Sequence, residues 1–177
     1  KKGISGMLGF YVYSDFKNSN ANTCYLGQTG IGLPDKDFYF EAQYESIKKE
    51  YVSHIERMFI CMGSSASEAK SQAKIIMDIE TNLAKNSQNA TEQRDVEKQY
   101  NPFKIEDLKA MTSQIDWDMY FSTIGMKTPS VLVLNQPQYY KGLNQFISLV
   151  KISDWKVFLK WKLISDAAPY LSSKFVN

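Results

Sequence analysis

The sequence holds a single histidine, His54, and only two cysteines, Cys24 and Cys61. One histidine cannot supply a pair of metal ligands a helical turn apart, and the cysteines lack the Cys-x-x-Cys spacing of a zinc knuckle. Cys61 lies among Phe59, Ile60 and Met62, which reads as a buried free thiol. No run approaches the ~18–20 apolar residues of a membrane span. Neither sign of charge dominates: 21 Lys and Arg stand against 19 Asp and Glu, a net +2. The basic residues are scattered, with Lys48-Lys49 the sole internal pair, so no basic face for nucleic acid is expected. There is no internal repeat and no low-complexity stretch. The opening Lys1-Lys2-Gly3-Ile4-Ser5-Gly6 has no hydrophobic leader segment, and it reads as the middle of a longer chain.

What is present suits a packed fold. The 177 residues are 44% hydrophobic and 14% aromatic, with eleven Tyr and ten Phe. At this length roughly 70% of the unfolded surface can be buried, so a core needs no disulfide staples. Leu8–Tyr13 (LGFYVY) is aromatic and β-branched, Asp15–Ala21 is rich in turn formers, and Thr23–Leu26 resumes the apolar run. These predict a hairpin with a loop longer than the tight two-residue type. Gly27–Pro34 (GQTGIGLP) interrupts regular structure.

Helical periodicity follows. Tyr44, Ile47, Tyr51, Ile55, Met58 and Met62 recur at three- and four-residue spacings, and Gly63 is placed to end that helix in the left-handed region. Ser65 precedes Glu68 by three, a capping box that opens a helix with Ala69, Ala73, Ile76, Ile79 and Leu83 inside. The two helices should pack as an antiparallel hairpin. Asn86–Asp95 is polar and reads as loop or ragged helix, and Asn101-Pro102 resets the chain. Short helices are expected at Ile105–Met111 and Trp117–Ile124, then a strand at Ser130–Leu134 able to join the hairpin. Pro137 suits a first helical turn. The last helix opens near Ser153 and is apolar on two sides, as a helix buried between neighbours would be. Pro169 should kink or end it. Phe175 and Val176 keep the terminus apolar, so the chain reads as cut rather than finished. The fold class is mainly α, a bundle-like helical lobe with a small antiparallel β-hairpin element.

Several constellations fail as chemistry. In His54-Ile55-Glu56-Arg57-Met58 the glutamate stands two positions on rather than one, and Met58 takes the place of a second ligand. His54 therefore reads as an ordinary helix-surface or boundary histidine. Ser64, Ser65 and Cys61 have no partner set for a nucleophilic triad. Gly30-Ile31-Gly32 lacks the third glycine of a dinucleotide loop, since position 35 is Asp35, and it reads as a tight loop that needs positive φ. Asp35, Asp37 and Glu41 do not match a calcium loop and suit the start of a helix near Phe38–Glu41. Asn89-Ala90-Thr91 is an acceptor triplet for N-glycosylation, meaningful only in a secreted eukaryotic context.

The run Gly27-Gln28-x-Gly30-x-Gly32-Leu33-Pro34-Asp35-Lys36-Asp37-Phe38-Tyr39 resembles the G-L-P-x-R-D-Y-Y signature in the N-terminal region of the neprilysin family of zinc endopeptidases. Asp15-Phe16-Lys17-Asn18-Ser19 is similar to its D-x-K-N-S hairpin loop. Downstream, Tyr51-Val52 with Arg57-Met58, Ile79-Glu80 with Leu83-Ala84, Arg94-Asp95, and Tyr100-Asn101-Pro102-Phe103 resemble family motifs in the same order. Trp155, Phe158-Leu159 and Trp161 with Leu171-Ser172 resemble the run that ends this region. Lys36 for the usual Arg, Phe38 for Tyr, and Lys104 at a capping position are the departures.

The resemblance implies a parent zinc endopeptidase that cleaves peptides on the amino side of hydrophobic residues. Its zinc helix H-E-x-x-H, its third ligand and its substrate-backbone motif would lie beyond this segment, so the fragment has no catalytic or metal residues, binds no zinc and should be inactive alone. Residues 1–177 would be part of the smaller helical N-terminal lobe (1–34 hairpin and glycine loop, 35–177 helical), with the catalytic domain absent. The lobe would wall the substrate chamber and limit substrate size. Its partners would be the catalytic lobe of the same polypeptide and the parent's peptide substrates, in an extracytoplasmic setting. Gly32, Pro34, Asp37, Glu80, Arg94 and Asp95 are the structural candidates, with Glu80 and Arg94 expected to form a buried ion pair whose neutralisation destabilises the chain. The competing expectation is an independent helical module that binds a peptide or protein through exposed aromatics.

Overall fold

Alternation of apolar and polar residues in Leu8–Asp15 (β1) and Asn18–Gln28 (β2) produces an antiparallel ribbon with Leu8 opposite Gln28 and Phe10 opposite Leu26. In this computed structural model, which describes residues 6–175, the turn is tighter than the sequence suggests. Asp15 Oδ1 accepts the backbone N–H groups of Lys17 and Asn18 at 2.8 and 3.1 Å, closing the chain over Phe16 and Lys17 alone. The polar residues 18–21, expected as loop, continue β2 into solvent. The readings placed on Lys1–Ser5 and Val176 lie outside the described residues.

The chain divides into two compact units, one comprising Met7–Thr29 with Asn86–Leu149, the other Gly30–Lys85 with the segment from Val150 onwards. In the first, Val131–Leu134 (β4) joins β2 in parallel, with Leu26 opposite Leu134, and Asn101–Lys104 (β3) pairs antiparallel with β4. The sheet therefore has four strands in the order β1-β2-β4-β3 rather than a hairpin alone. Pro102 obscures β3 in the sequence, but an edge strand tolerates the missing N–H. Tyr25, Leu26, Leu132, Val133 and Leu134 are buried at the sheet centre.

Around this sheet the polar stretch after residue 86 makes two one-turn helices, Ala90–Gln93 (α4) and Val96–Gln99 (α5). Asn89 and Glu92 form a capping box at the first, and Asp95 accepts from Lys98 N–H at the second. Ile105–Met111 (α6) and Trp117–Ile124 (α7) form at the expected residues. Pro137 opens Pro137–Ile147 (α8). Trp117, Phe121, Tyr139 and Tyr140 are buried, and the two tyrosines donate to strand-end carbonyls: Tyr139 to Met7 and Thr29, Tyr140 to Gly27, all at 2.8 Å.

The other unit contains Asp37–Phe40 (α1), Glu45–Cys61 (α2), Ala66–Lys85 (α3) and Ile152–Ala167 (α9). Gly63, at φ 97°, ends the α2 segment, and Ser65 exchanges hydrogen bonds with Glu68 to start α3. Every residue of the expected α3 stripe is buried, together with Glu80 and Ala84. Pro169 ends α9, which passes into a 3-10 turn at Ala168–Tyr170. Phe158, Trp161 and Lys162 are its buried residues, while Ile152, Leu159 and Leu163 are at least half exposed. Burial on two sides, expected from the sequence, is thus only partly realised within this chain.

Candidate functional site

The most elaborate polar arrangement centres on Glu80, fully buried on α3, whose other buried residues are all aliphatic. Its Oε2 accepts the Gly32 backbone N–H at 3.1 Å, the Tyr39 hydroxyl at 2.8 Å and the Tyr51 hydroxyl at 3.0 Å. Tyr51 also reaches Oε1 at 3.1 Å. Each phenol oxygen is itself an acceptor: Tyr39 from the N–H groups of Gly32 and Leu33, Tyr51 from the Trp161 indole. Because the phenol oxygens receive those hydrogens, the single proton of each is directed at Glu80. The carboxylate thereby ties the glycine loop, α1, α2 and α9 to α3.

Electrostatics define what this arrangement can do. Burial pushes the Glu80 carboxyl above the usual carboxylate range. The Tyr39 hydroxyl, the buried Lys162 charge, Gly32 N–H and Tyr51 oppose that shift without cancelling it. Burial and the Glu80 charge hold both phenols well above the ordinary tyrosine range, so they remain donors. The cluster has no nucleophile poised against a base. It is a buried clamp.

The local sequence explains the assembly. Gly30 adopts φ 98°, as the tight loop requires. Gly32 is needed for a different reason: a Cβ there would lie 2.5 Å from Tyr51 Cζ. Pro34 is exposed on the same loop, and Asp35, buried, accepts the Asp37 N–H at 2.8 Å to start α1 with Asp37 in its first turn. Gly32 and Glu80 thus meet, as the sequence did not specify.

Arg94 is a correction. It is exposed at the C-terminal end of α4, so it cannot be one half of a buried ion pair, and the Glu80 oxygens are taken by phenols and a backbone amide. Asp95 instead caps α5, where Lys98 N–H and the Lys98 side chain hold its carboxyl below the usual range. The residues missed at the site are Tyr39, Tyr51 and Trp161. Tyr51 on the apolar stripe of α2 was the one signal available. His54 sits exposed on α2 with its ring 5.8 Å from that of Trp161, and partial burial together with Arg57 lowers its pKa.

Among the described residues no three His, Cys, Asp or Glu side chains converge as a metal-binding group. With a single histidine in the chain, the donors present do not fit a zinc site.

The N-terminal profile of peptidase family M13 matches residues 1–177. The chain belongs to this family. Its M13 relatives include an endothelin-converting enzyme homolog of Locusta migratoria, 24% identical over 97% of this chain and 25% of the relative. Endothelin-converting enzyme 1 of Homo sapiens is 25% identical over 97% of this chain and 23% of the relative. Among solved structures, the Mycobacterium tuberculosis zinc metalloprotease Zmp1 in its open state superposes with a TM-score of 0.93 at 30% identity, covering 99% of this chain and 28% of that one. PepO from Lactobacillus rhamnosis shares the fold, with a TM-score of 0.76 at 20% identity over 96% of this chain and 27% of that one. This M13 segment therefore spans about a quarter of the length of the curated relatives it matches. No helix among the described residues is long and apolar enough to cross a membrane.

Proposed function

We propose that residues 1–177 are the non-catalytic, mostly helical part of an M13 zinc endopeptidase that hydrolyses peptides on the amino side of hydrophobic residues. In this reading the segment walls the substrate chamber and limits substrate size, and the zinc ligands and the general base are supplied by a catalytic lobe elsewhere in the polypeptide. The parent works outside the cytoplasm. The carrying observation is the family match over the whole chain, set against relatives about four times as long.

The physical features support it. A clamp of hydrogen bonds on a buried carboxylate ties one unit together without offering chemistry, which suits a wall that excludes bulk water. Helix α9 carries apolar residues on more than one side, with Leu159 and Leu163 half exposed, a pattern of helices covered on more than one side in a larger protein.

The test compares zinc content and peptide hydrolysis of this chain with those of the full-length parent. The parent should hold zinc, cut a short peptide and spare a folded protein of domain size, while the chain alone is zinc-free and inert. Stoichiometric zinc and peptide cleavage by the chain alone would overturn the reading, and so would a parent that degrades folded domains as readily as short peptides.

A further inference from the structure

One cleft in the unit built on the sheet has a lining worth following. It has a volume of about 320 Å³, at the low end for ligand pockets. Among the described residues its lining carries no Lys, Arg, Asp or Glu, in a chain that is 23% charged, and is dominated by side-chain amides. Tyr11, Phe16 and Val96 supply the apolar rim, and all three are about half exposed.

The amides are held in place from behind. Asn135 accepts from the Tyr11 hydroxyl at 3.0 Å and donates to the Gln99 carbonyl at 3.0 Å. Gln93 donates to the Gln88 carbonyl at 2.9 Å. Gln136 accepts the Gln88 N–H at 2.9 Å through Oε1, which fixes which end of its amide is oxygen. Gln136 is only 5% exposed, yet its Nε2 has no hydrogen-bond partner among the described residues and still touches solvent at the cleft it lines. Gln28, half-buried on the same wall, has no side-chain partner among them either. A donor held in place at a cleft by its neighbours is pre-organised for an acceptor that displaces the water there.

We infer that this cleft binds a short, uncharged, extended peptide segment, with Gln136 Nε2 donating to a backbone carbonyl. A peptide carbonyl matches an amide donor, a peptide N–H matches the amide oxygen of Gln28, and small apolar side chains match the rim of Phe16 and Val96. The absence of charge on the wall excludes recognition of an acidic or basic group. Tyr11 already stacks one face on Tyr25, with centroids 5.0 Å apart and planes 4° apart, which leaves less of the open aromatic platform that a sugar uses. The inference draws on the peptidase reading only for the source of the peptide, and the site contains no hydrolytic group.

The probe is N-acetyl-Ala-Leu-Ala-amide, titrated into the isotope-labelled chain while the side-chain amide signals of Gln28 and Gln136 are followed by NMR. Saturable shifts of both are expected. Gln136→Glu keeps the acceptor for Gln88 and removes the donor, and should weaken binding at least tenfold. Phe16→Ala, at an exposed rim position, should weaken it several-fold and decides the matter if Gln136→Glu does not fold. Absence of a saturable shift, equal affinity in both variants, or the same response to maltotriose in place of the peptide overturns the inference. Failure of the zinc and cleavage tests would leave this binding measurement untouched, so the two readings fail separately.

Discussion

Tyr39 Oη donates to Glu80 Oε2 at 2.8 Å while accepting the backbone N–H groups of both Gly32 and Leu33. One phenol therefore couples a loop of irregular backbone to a carboxylate buried in the middle of a helix. The loop has few other ways to satisfy those amides, because Gly30, Gly32 and Pro34 rule out regular secondary structure.

Replacing the acceptor exposes its value. Glu80→Leu suits the aliphatic buried face of α3 but leaves two hydroxyls without their acceptor and the Gly32 N–H with Tyr39 Oη alone. Unmet buried donors cost about 1–3 kcal/mol each. A loss of roughly 3 kcal/mol or more is expected in urea unfolding, with Glu80→Gln milder because one acceptor oxygen survives. A Glu80→Leu variant as stable as the wild type would show that the clamp contributes nothing.

Gly32→Ala tests the close approach rather than the hydrogen bonds. The added methyl runs into the Tyr51 hydroxyl and ring, and overpacking of this kind costs about 1–3 kcal/mol. Tyr51→Phe removes the oxygen nearest the new methyl at the expense of a donor to Glu80. The double variant should accordingly lose less than the sum of the two single variants, a coupling measurable in a thermodynamic cycle. Strict additivity would mean that the two residues do not meet.

Much of this was legible beforehand, and the gaps have physical causes. The α3 stripe, the Gly63 stop, the Ser65–Glu68 cap and the bounds of α6 and α7 are local signals: periodicity, left-handed glycine and capping side chains. Strand β3 was hidden by Pro102, because edge position is a property of the sheet and not of the segment. The short β-turn was hidden because the same polar residues suit a loop or an exposed ribbon, and Asp15 decides between them. At the clamp, the residue type of Glu80 announced a buried charge needing a partner, but the choice among Arg94, Lys162 and the phenols depends on tertiary placement that spacing does not encode.

Arg94 and Asn89, five residues apart, should behave oppositely. Arg94 is exposed, and Arg94→Met should change stability by no more than about 0.5 kcal/mol, typical of surface positions. Asn89 accepts the Glu92 N–H at 2.9 Å as the cap of α4, and Asn89→Ala should cost about 1 kcal/mol. At this chain length 1 kcal/mol corresponds to roughly 2–4 °C in Tm, so calorimetry can rank the pair. A larger loss for Arg94→Met than for Asn89→Ala would restore the ion-pair expectation.

The raised pKa of Glu80 sets a slope of stability with pH. In the unfolded chain the carboxyl gives up its proton near about pH 4.5, whereas burial makes the folded chain hold it to higher pH. Between those two values the folded state binds more protons than the unfolded state, so this group's contribution is full at the acid end and declines as pH rises through the folded pKa. His54 acts in the other direction: its lowered pKa withdraws stability as pH falls below about 6.5. Asp95, Glu68 and Asp118, all lowered by their hydrogen bonds, act only at more acid pH, where they too withdraw stability as pH falls. Raw stability therefore mixes opposing slopes, and the informative quantity is the difference between wild type and Glu80→Gln, in which the shared groups cancel. That difference should move in favour of Glu80→Gln as pH rises from about 4.5 towards neutrality and then level off. A difference that stays flat across this interval would mean that Glu80 ionises in the folded chain as easily as in water, and that its phenol and amide donors fully offset its burial.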